Sequence, residues 1–354
     1  MTSRHLIDLN DIKKQEWDEL IKLASDIRLN PKDYIERCKG MIMATLFYEP
    51  STRTQMSFQA AMLRLGGEII GFDNPGNSSV SKGESLKDTI RIVSGYSDII
   101  VIRHPQEGSA KAASQFSLCP IINAGDGGHL HPTQTLTDLV TLASVKERLS
   151  NLNIGVCGDL KYGRTVHSLI KALCKFNGNH FYLISTPDLG VPNYIKEIMQ
   201  QSGCTFSEIN TLEECIGELD VLYMTRIQRE RFNTPQEYEK QKGVYVLDTA
   251  KIAKAKEDLA VLHPLPRLDE IDIAIDDDKR AVYFIQAQNG MYARMALILK
   301  MLEENVPELA RSAHTINEIT CTNPRCITHT EKYLAHSFKK EDNIVSCDYC
   351  DARV

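Results

Sequence analysis

The chain has little that would anchor it in a membrane or on a nucleic acid. None of its apolar runs approaches the roughly 18 residues of a membrane-spanning helix, and the opening MTSRHLIDLN lacks the apolar core of a signal peptide. Positive charge is not in excess, because 41 Lys and Arg face 47 Asp and Glu, for a net charge of -6. Low-complexity segments are also missing. The sequence therefore predicts a globular, cytoplasmic protein with no membrane or nucleic-acid partner.

Apolar segments of β type alternate along the chain with helical segments. The β-type runs span 41–47, 98–102, 120–124, 153–157, 180–184 and 220–224. This alternation predicts an α/β fold with two doubly wound domains of mostly parallel strands, joined by a long helix that begins at Pro132. A later helix, GMYARMALILKMLEEN, is expected to return the chain to the first domain. The predicted domains are 1–135 completed by a helix at 291–310, then 136–290, then a small zinc-ribbon-like domain at 317–354.

The loop FYEPSTRTQMSF, residues 47–58, follows the first predicted strand and opens a helix. Ser51, Thr52, Arg53 and Thr54 would place three hydroxyls, a guanidinium and unpaired backbone N–H groups at the positive end of the helix dipole. An ordinary Ser/Thr cap is the alternative, but Arg53 in the first turn opposes the dipole and a cap gives it no role. The pattern therefore favours a phosphate site.

Three further loops of the first half carry polar residues near predicted strand ends. NSSVSKGESLKD (77–88) contains Ser78 and Lys82, and by itself is typical of a flexible surface loop. VIRHPQEG places Arg103 at the end of a strand. In GDGGHLHPTQ, His131 precedes a Pro suited to the first helical turn, and Gln134 follows one turn later. A helix N-terminus disfavours a charged imidazole, so His131 is predicted to donate a hydrogen bond to a substrate carbonyl, with a capping histidine as the alternative.

The second half repeats cationic side chains at predicted strand ends. GDLKYGRTVHSL carries Arg164, YMTRIQ carries Arg226 and Gln228, and HPLPRLDEI contains a turn made rigid by two prolines. The glycines around Arg164 do not fit the dinucleotide-binding fingerprint. Together with Lys82 and the arginines of the first half, these residues predict a substrate, or a pair of substrates, that carries several negative charges.

Four of the ten cysteines form two close pairs near the end of the sequence, Cys321 with Cys326 in CTNPRC and Cys347 with Cys350 in CDYC. This spacing suits one tetrahedral Zn²⁺. Two disulfides are the alternative, which a reducing cytosol disfavours. The segment is too small to build a core unaided, so the metal would supply its folding energy. The other six cysteines lie singly in apolar or helical context and are predicted to be buried, reduced thiols.

Seven stretches together resemble the catalytic chain of the aspartate carbamoyltransferase family over about residues 4–310: FYEPSTRTQMSF, SKGESLKDT, VIRHPQEG, GDGGHLHPTQTLTDL, GDLKYGRTVHSL, YMTRIQ and HPLPRLDEI. From about residue 317 the chain resembles the zinc domain of that family's regulatory chain. The resemblance implies transfer of the carbamoyl group of carbamoyl phosphate to L-aspartate in pyrimidine biosynthesis, without a catalytic cofactor. It also implies a homotrimer, or a multiple of trimers, with active sites shared between neighbouring subunits. Residues 1–135 would bind carbamoyl phosphate and 136–290 aspartate.

The resemblance gives each matched position a role. Positions matched to the carbamoyl phosphate site are Ser51, Thr52, Arg53, Thr54, Ser78, Lys82, Arg103, His131 and Gln134, with Ser78 and Lys82 supplied by a neighbouring subunit. Positions matched to the aspartate site are Lys82, Arg164, Arg226, Gln228, Leu265 and Pro266. The implied catalytic set is Arg53, Thr54, Lys82, Arg103 and His131, with Thr54, Arg103 and His131 polarising the carbamoyl oxygen and Gln134 binding the carbamoyl amino group. Cys321, Cys326, Cys347 and Cys350 would hold a structural Zn²⁺.

The sequence departs from the family before the matched histidine, where small or amide residues are usual. His129 and Leu130 occupy those places, but Pro-Thr-Gln follows His131 and identifies it as the matched residue.

Three other functions fit parts of the sequence. An ornithine carbamoyltransferase would share the phosphate motifs but resembles a different second half, and Arg226 and Gln228 suit an anionic side chain better than a cationic one. A non-enzymatic zinc ribbon that binds nucleic acid is permitted by the lysines of the tail and opposed by its carboxylates. A catalytically inactive scaffold is disfavoured, since every matched position carries the expected residue type.

The tail suggests a structural hypothesis. In the family's regulatory chain the zinc domain contacts the catalytic chain, while a separate domain binds nucleotides, and the few residues between Leu309 and Asn317 leave no room for that second domain. A contact between chains would here become intramolecular, with an effective concentration of about a millimolar or more. The tail is therefore predicted to be a clamp that docks on a catalytic domain, supports the oligomer and confers no nucleotide feedback.

Overall fold

The computed structural model describes residues 5–8, 11–227, 232, 234–303, 319–341 and 344–354. It contains two compact units, Met1–Thr133 with Met291–Val354, and Gln134–Gly290. The cysteine-rich tail is grouped with the first unit. No described helix combines the length and apolarity needed to cross a membrane.

A parallel sheet forms the centre of the first unit, with strand order β2-β1-β3-β4. The strands are β1 (Ile42–Phe47), β2 (Glu68–Phe72), β3 (Ile99–His104) and β4 (Ile121–Asp126). The helices α1 (Lys14–Leu29), α2 (Thr52–Arg64), α3 (Leu86–Val93) and α4 (Ser109–Ser114) belong to the same unit. Strands β3 and β4 are buried at every position, which explains their continuous apolar sequences.

A second parallel sheet, of order β7-β6-β5-β8-β9, forms the centre of the other unit. Its strands are β5 (Asn153–Cys157), β6 (His180–Ile184), β7 (Thr205–Ile209), β8 (Val221–Met224) and β9 (Ala260–Leu262). The helices are α5 (Pro132–Lys146), α6 (Arg164–Leu173), α7 (Asn193–Gln201), α8 (Pro235–Gln241) and α9 (Thr249–Ile252). The order of strands reverses at β5, a topological switch point of the kind beside which α/β proteins bind ligands.

The predicted α/β fold with parallel sheets is confirmed, and the six predicted strands correspond to β1, β3, β4, β5, β6 and β8. The long helix begins at Pro132, as predicted. The last long helix, α10 (Tyr283–Glu303), begins earlier than the sequence pattern suggested. The prediction missed β2, β7 and β9, because the first two are exposed edge strands without a continuous apolar run and the third is very short.

The tail forms an antiparallel hairpin of β10 (Phe338–Glu341) and β11 (Ile344–Cys347), followed by the turn that carries Cys350. Its apolar side chains pack into the hydrophobic core of the first unit. The tail residues in that core are Cys321, Cys326, Ile327, Leu334, Phe338, Cys347, Tyr349 and Cys350, and their neighbours include Ile90 and Ala113.

Candidate active site and metal site

The carboxyl ends of β1, β3 and β4 lie side by side at one edge of the first sheet. Phe47 at the end of β1 pairs with Arg103 in β3, and His104 pairs with Asp126 at the end of β4. The loops that carry residues 51–54 and His131 therefore start from the ends of β1 and β4, the two strands that flank β3 and its Arg103. Parallel strands explain this clustering, because their carboxyl ends share one edge of the sheet.

The N-terminus of α2 follows β1 and is open to a ligand. Its N-cap residue, Ser51, directs its hydroxyl to Thr54 Oγ1 at 3.0 Å instead of to a backbone N–H group. Among the described residues no side chain caps the first turn, so its N–H groups and the helix dipole are available to an anion. Thr52 and Arg53 are exposed in this turn, and Thr54 is buried.

Arg103 and His131 meet beside Gly125. A side-chain carbon added to Gly125 would lie 2.7 Å from Arg103 Nη1 and 3.6 Å from His131 Cδ2, so glycine leaves the space in which these two buried side chains converge. Arg103 Nη1 donates to the Ala124 carbonyl at 3.2 Å, and Nη2 forms an ion pair with Glu49. The buried Nε atom has no hydrogen-bond partner within the described residues. A substrate oxyanion can therefore bind this guanidinium in exchange for Glu49, a residue that sequence reasoning did not single out.

Ser78 and Lys82 follow the edge strand β2. The Ser78 hydroxyl is used within its own loop, where it donates to the Pro75 carbonyl at 2.9 Å and accepts from the Val80 N–H at 3.3 Å. Lys82 is exposed, and its ammonium has no hydrogen bond or ion pair in the described part of the chain. Lys82 thus has no partner among the described residues of its own chain.

Four of the predicted aspartate-site residues lie in the second unit, where Arg164 follows β5, Arg226 follows β8, and Leu265 and Pro266 follow β9. These three strands are neighbours. Thr225 Oγ1 joins the first two strand ends, since it donates to the Cys157 carbonyl at 3.0 Å and accepts from the Asp159 N–H at 3.1 Å.

Gln134 and Gln228 are also among the predicted site residues. Gln134 donates to the buried Asp138 carboxylate at 2.8 Å, and that carboxylate also accepts from Gln286 at 2.6 Å and Tyr223 at 3.0 Å. Gln228 lies outside the described residues.

A buried hydrogen bond between His263 and Glu270 supports the turn that contains Leu265. His263 Nε2 lies 2.7 Å from Glu270 Oε1, and His263 Nδ1 accepts from the Leu265 N–H at 2.7 Å. This contact holds Leu265 in a left-handed conformation, with φ of 53°. Burial works to raise the pKa of Glu270, but hydrogen bonds from His263 and the Leu268 N–H lower it overall. Sequence reasoning singled out neither residue, although both lie within HPLPRLDEI.

The tail cysteines form a four-thiol cluster whose sulfur atoms all lie within 4.8 Å of one another. The Cys321–Cys350 and Cys326–Cys347 sulfur distances are 3.5 and 3.8 Å, far beyond a disulfide bond. Tetrahedral metal–sulfur bonds of about 2.3 Å place sulfurs about 3.8 Å apart, so the four residues fit a closed metal site. All ten cysteines are buried and free, as predicted for the six single ones.

The tail docks on the first unit through main-chain and side-chain bonds. Glu107 lies at the centre: its N–H donates to the Arg325 carbonyl at 3.0 Å, its carbonyl accepts from the Ile327 N–H at 2.9 Å, and its carboxylate accepts from Asn323 Nδ2 at 2.6 Å. Tail side chains also bind the N-terminus of α3, where the Leu86 N–H donates to Glu331 at 3.1 Å and the Lys87 N–H to the Tyr333 hydroxyl at 2.8 Å.

Gly108 lies where the tail packs closely against the loop before α4. Its φ is 84°, and a side-chain carbon added there would lie 2.6 Å from Tyr349 Cβ. A larger residue at this position would strain the backbone and push the tail away.

Three protein-family models match consecutive segments of the chain. Residues 4–144 match the aspartate/ornithine carbamoyltransferase carbamoyl-P binding domain, 150–301 match the Asp/Orn binding domain, and 314–354 match the metal binding domain of the aspartate carbamoyltransferase regulatory chain.

Named relatives agree with these matches. The aspartate carbamoyltransferase catalytic subunits of Clostridium novyi and Clostridium perfringens are each 59% identical, over 302 and 305 residues, and the alignments cover 85% and 86% of this chain and 99% of each relative. A segment of this chain therefore has no counterpart in them.

Solved structures show the same fold. The catalytic subunit of M. jannaschii aspartate transcarbamoylase superimposes with a TM-score of 0.80 at 48% identity, covering 85% of this chain and 99% of that one. Aspartate transcarbamoylase from Trypanosoma cruzi in complex with carbamoyl phosphate and aspartate gives 0.79 at 36% identity, covering 84% and 96%. The chain therefore belongs to the aspartate carbamoyltransferases of the aspartate/ornithine carbamoyltransferase family, and its C-terminal segment is similar to the metal-binding domain of their regulatory chain.

Proposed function

We propose that the chain transfers the carbamoyl group of carbamoyl phosphate to the amine of L-aspartate, giving N-carbamoyl-L-aspartate and phosphate for de novo pyrimidine biosynthesis in the cytoplasm. The convergence of Arg103 and His131 beside Gly125, at the same sheet edge as the uncapped N-terminus of α2, carries this proposal. A phosphate fits the helix terminus and a carbonyl oxygen fits the paired donors.

In this mechanism the phosphate binds the first turn of α2 through Ser51, Thr52, Arg53 and Thr54, with Arg103 on its other side. The amine nitrogen attacks the carbamoyl carbon, and the bond from that carbon to the phosphate oxygen breaks. The phosphate leaves with the electron pair and accepts the proton that the nitrogen gives up. Negative charge grows on the carbamoyl oxygen as the bond forms. Thr54, Arg103 and His131 would stabilise that charge more than the neutral carbonyl, which is the condition for catalysis.

Gln134 would bind the carbamoyl amino group, and its bond to Asp138 holds the side chain in place. Arg164, Arg226, Gln228, Leu265 and Pro266, together with Lys82, would bind aspartate. The sequence positions of this set follow the neighbouring strands β5, β8 and β9, apart from Lys82. Positioning and charge stabilisation then account for the reaction, and no catalytic cofactor is assigned a role.

A direct assay tests the activity. Purified protein with carbamoyl phosphate should form N-carbamoyl-L-aspartate from L-aspartate and little citrulline from ornithine, because the arginines assigned to the second site repel a cationic side chain. Product analysis by chromatography checks both amino acids under the same conditions. Turnover with ornithine alone would make the chain an ornithine carbamoyltransferase, and turnover with neither would leave the fold without the proposed activity.

The protein is further proposed to be a homotrimer, or a multiple of trimers, in which Ser78 and Lys82 complete the site of a neighbouring subunit. The exposed Lys82, without a partner in its own chain among the described residues, supports this arrangement.

Subunit mixing tests the shared site. Lys82→Ala and Arg53→Ala chains should each lose most of their activity. In trimers mixed at random from the two variants, about a quarter of the sites should combine an unaltered Arg53 with an unaltered Lys82, because each mixed trimer has one such site among its three. Activity after subunit exchange, compared with each variant exchanged against itself, measures the gain. An unchanged sum of the two residual activities would show that each site lies within one chain.

The tail is proposed to bind one structural Zn²⁺ per chain through Cys321, Cys326, Cys347 and Cys350, and to act as a clamp on the carbamoyl phosphate-binding unit. The closed set of four thiols leaves no position for substrate, which suits a structural metal. The docking contacts around Glu107 support the clamp.

A further inference from the structure

His129 connects the tail to the loop that carries His131. Its Nδ1 lies 2.9 Å from Asp126 Oδ2, and its Nε2 lies 3.0 Å from Asp351 Oδ2 in the tail. The histidine side chain is 12% exposed, and that of Asp126 is 1% exposed. Burial by itself lowers the pKa of His129, but the two carboxylates raise it to about 10. The ring is therefore an imidazolium that donates one hydrogen bond to each carboxylate.

Asp126 fixes the shape of the loop before His131. Its Oδ1 accepts from the Leu130 N–H at 2.9 Å and from Asn123 Nδ2 at 3.2 Å, while Oδ2 accepts from the Gly108 N–H at 2.9 Å. Its own N–H donates to the Leu130 carbonyl at 3.3 Å. The carboxylate that His129 binds thus closes a turn that ends at Leu130. Because His131 follows Leu130 directly, a change at His129 that loosens this turn also affects the position of His131.

Asp351 is positioned by the metal-binding turn. It follows Cys350 directly, has φ of 57°, and its N–H donates to the Cys347 carbonyl at 3.0 Å. Its other carboxylate oxygen binds Lys339 Nζ at 2.7 Å. The orientation of this carboxylate therefore depends on the folded tail.

We propose that His129 is a positioning residue for catalysis, through which the docked tail holds the loop that places His131. The inference rests on the proposed role of His131 and adds a function to the tail beyond holding the assembly together. The clostridial relatives align over 99% of their length and leave a segment of this chain unmatched, while the metal-binding-domain match accounts for 314–354. In this chain, Asp351 of the C-terminal segment therefore contacts the loop that carries His131 within the same polypeptide.

Two tail variants separate this role from general support. Asp351→Ala should lower kcat about threefold to tenfold with the KM values of both substrates changed less than twofold, because a loosened His131 loses alignment with the transition state more than with the ground state. Lys339→Ala removes the other partner of Asp351 but keeps its bond to His129, so it should lower kcat less than Asp351→Ala does. An equal fall of kcat in Lys339→Ala, or a rise of KM without loss of kcat, overturns the proposal.

A double-variant cycle and hydrogen exchange complete the test. In a His129→Gln background, which itself lowers kcat to the same extent, Asp351→Ala should have no further effect. Mass spectrometry should show faster amide exchange in the peptide that contains Leu130 in Asp351→Ala, with one metal ion per chain retained. If Asp351→Ala loses its metal, His129→Gln serves as the test variant instead, because residue 129 lies outside the tail. Unaltered exchange and unaltered kcat in His129→Gln overturn the proposal. Absence of turnover in the unmodified protein would count only against the proposed function, because amide hydrogen exchange at Leu130 still reports the contact between His129 and Asp351.

Discussion

Replacement of His131 by alanine should lower kcat by on the order of 10²-fold or more while the KM for carbamoyl phosphate changes little, because the lost donor acts mainly on the charge that develops in the transition state. His131 is 7% exposed and shares the space beside Gly125 with Arg103, so water cannot readily replace its hydrogen bond. Steady-state kinetics with carbamoyl phosphate and aspartate varied in turn give both constants.

Arg53→Ala provides the contrast for this prediction. Arg53 lies in the first turn of α2, where its guanidinium would contact the phosphate in the ground state and in the transition state. Its loss should raise the KM for carbamoyl phosphate and lower kcat, with a combined cost of about 10- to 100-fold for one charge-assisted hydrogen bond.

A matched control is available at the other end of the same helix. Arg64 is exposed in the last turn of α2, so Arg64→Ala makes the same change of charge far from the loop and should leave both constants unchanged. Equal losses of affinity in His131→Ala and Arg53→Ala, with kcat preserved in both, would contradict the assigned roles.

The loops at the active site were predictable because each follows a strand with a continuous apolar sequence. Once β1, β3 and β4 are recognised as parallel neighbours, their carboxyl ends must share an edge, and residues 51–54, Arg103 and His131 come together without further information. The same reasoning places Arg164 and Arg226 after β5 and β8. Strand order does not predict the distances between these side chains, which depend on details such as the space that glycine leaves at position 125.

Contacts between distant parts of the chain were not predictable in this way. His129 was noted only as a departure from the family pattern, and its partner Asp351 lies 222 residues away in the tail. Glu49 and Glu270 are ordinary carboxylates in the sequence, and only the fold shows that one pairs with Arg103 and the other with His263. Spacing identified the metal ligands because one ion must be reached by four nearby thiols, whereas the docking face around Glu107 has no comparable sequence signal.

Removal of the metal should have the second large effect, on the folding of the tail. Zinc contributes an apparent 10–16 kcal/mol to the folding of small zinc domains at neutral pH, roughly the whole stability of an ordinary domain. The described tail has few apolar residues of its own, and most of its core is shared with the first unit. Cys350→Ser, or treatment with a chelator, should therefore release one Zn²⁺ per chain, unfold residues 319–354 and expose the face around Ile90 and Ala113.

Metal analysis measures the release of zinc, protease sensitivity measures the unfolding of the tail, and sedimentation measures the state of the oligomer. Cys38→Ser is the matched control, because it makes the same change at a buried thiol of the first unit outside the cluster and should retain the metal. The oligomer should weaken when the tail unfolds. Where it persists, turnover should fall only as far as in His129→Gln, since the metal holds the docked tail and touches no substrate. Complete loss of turnover with the oligomer and the first unit still folded would contradict a structural metal, because a clamp affects the reaction only through the contacts that it holds.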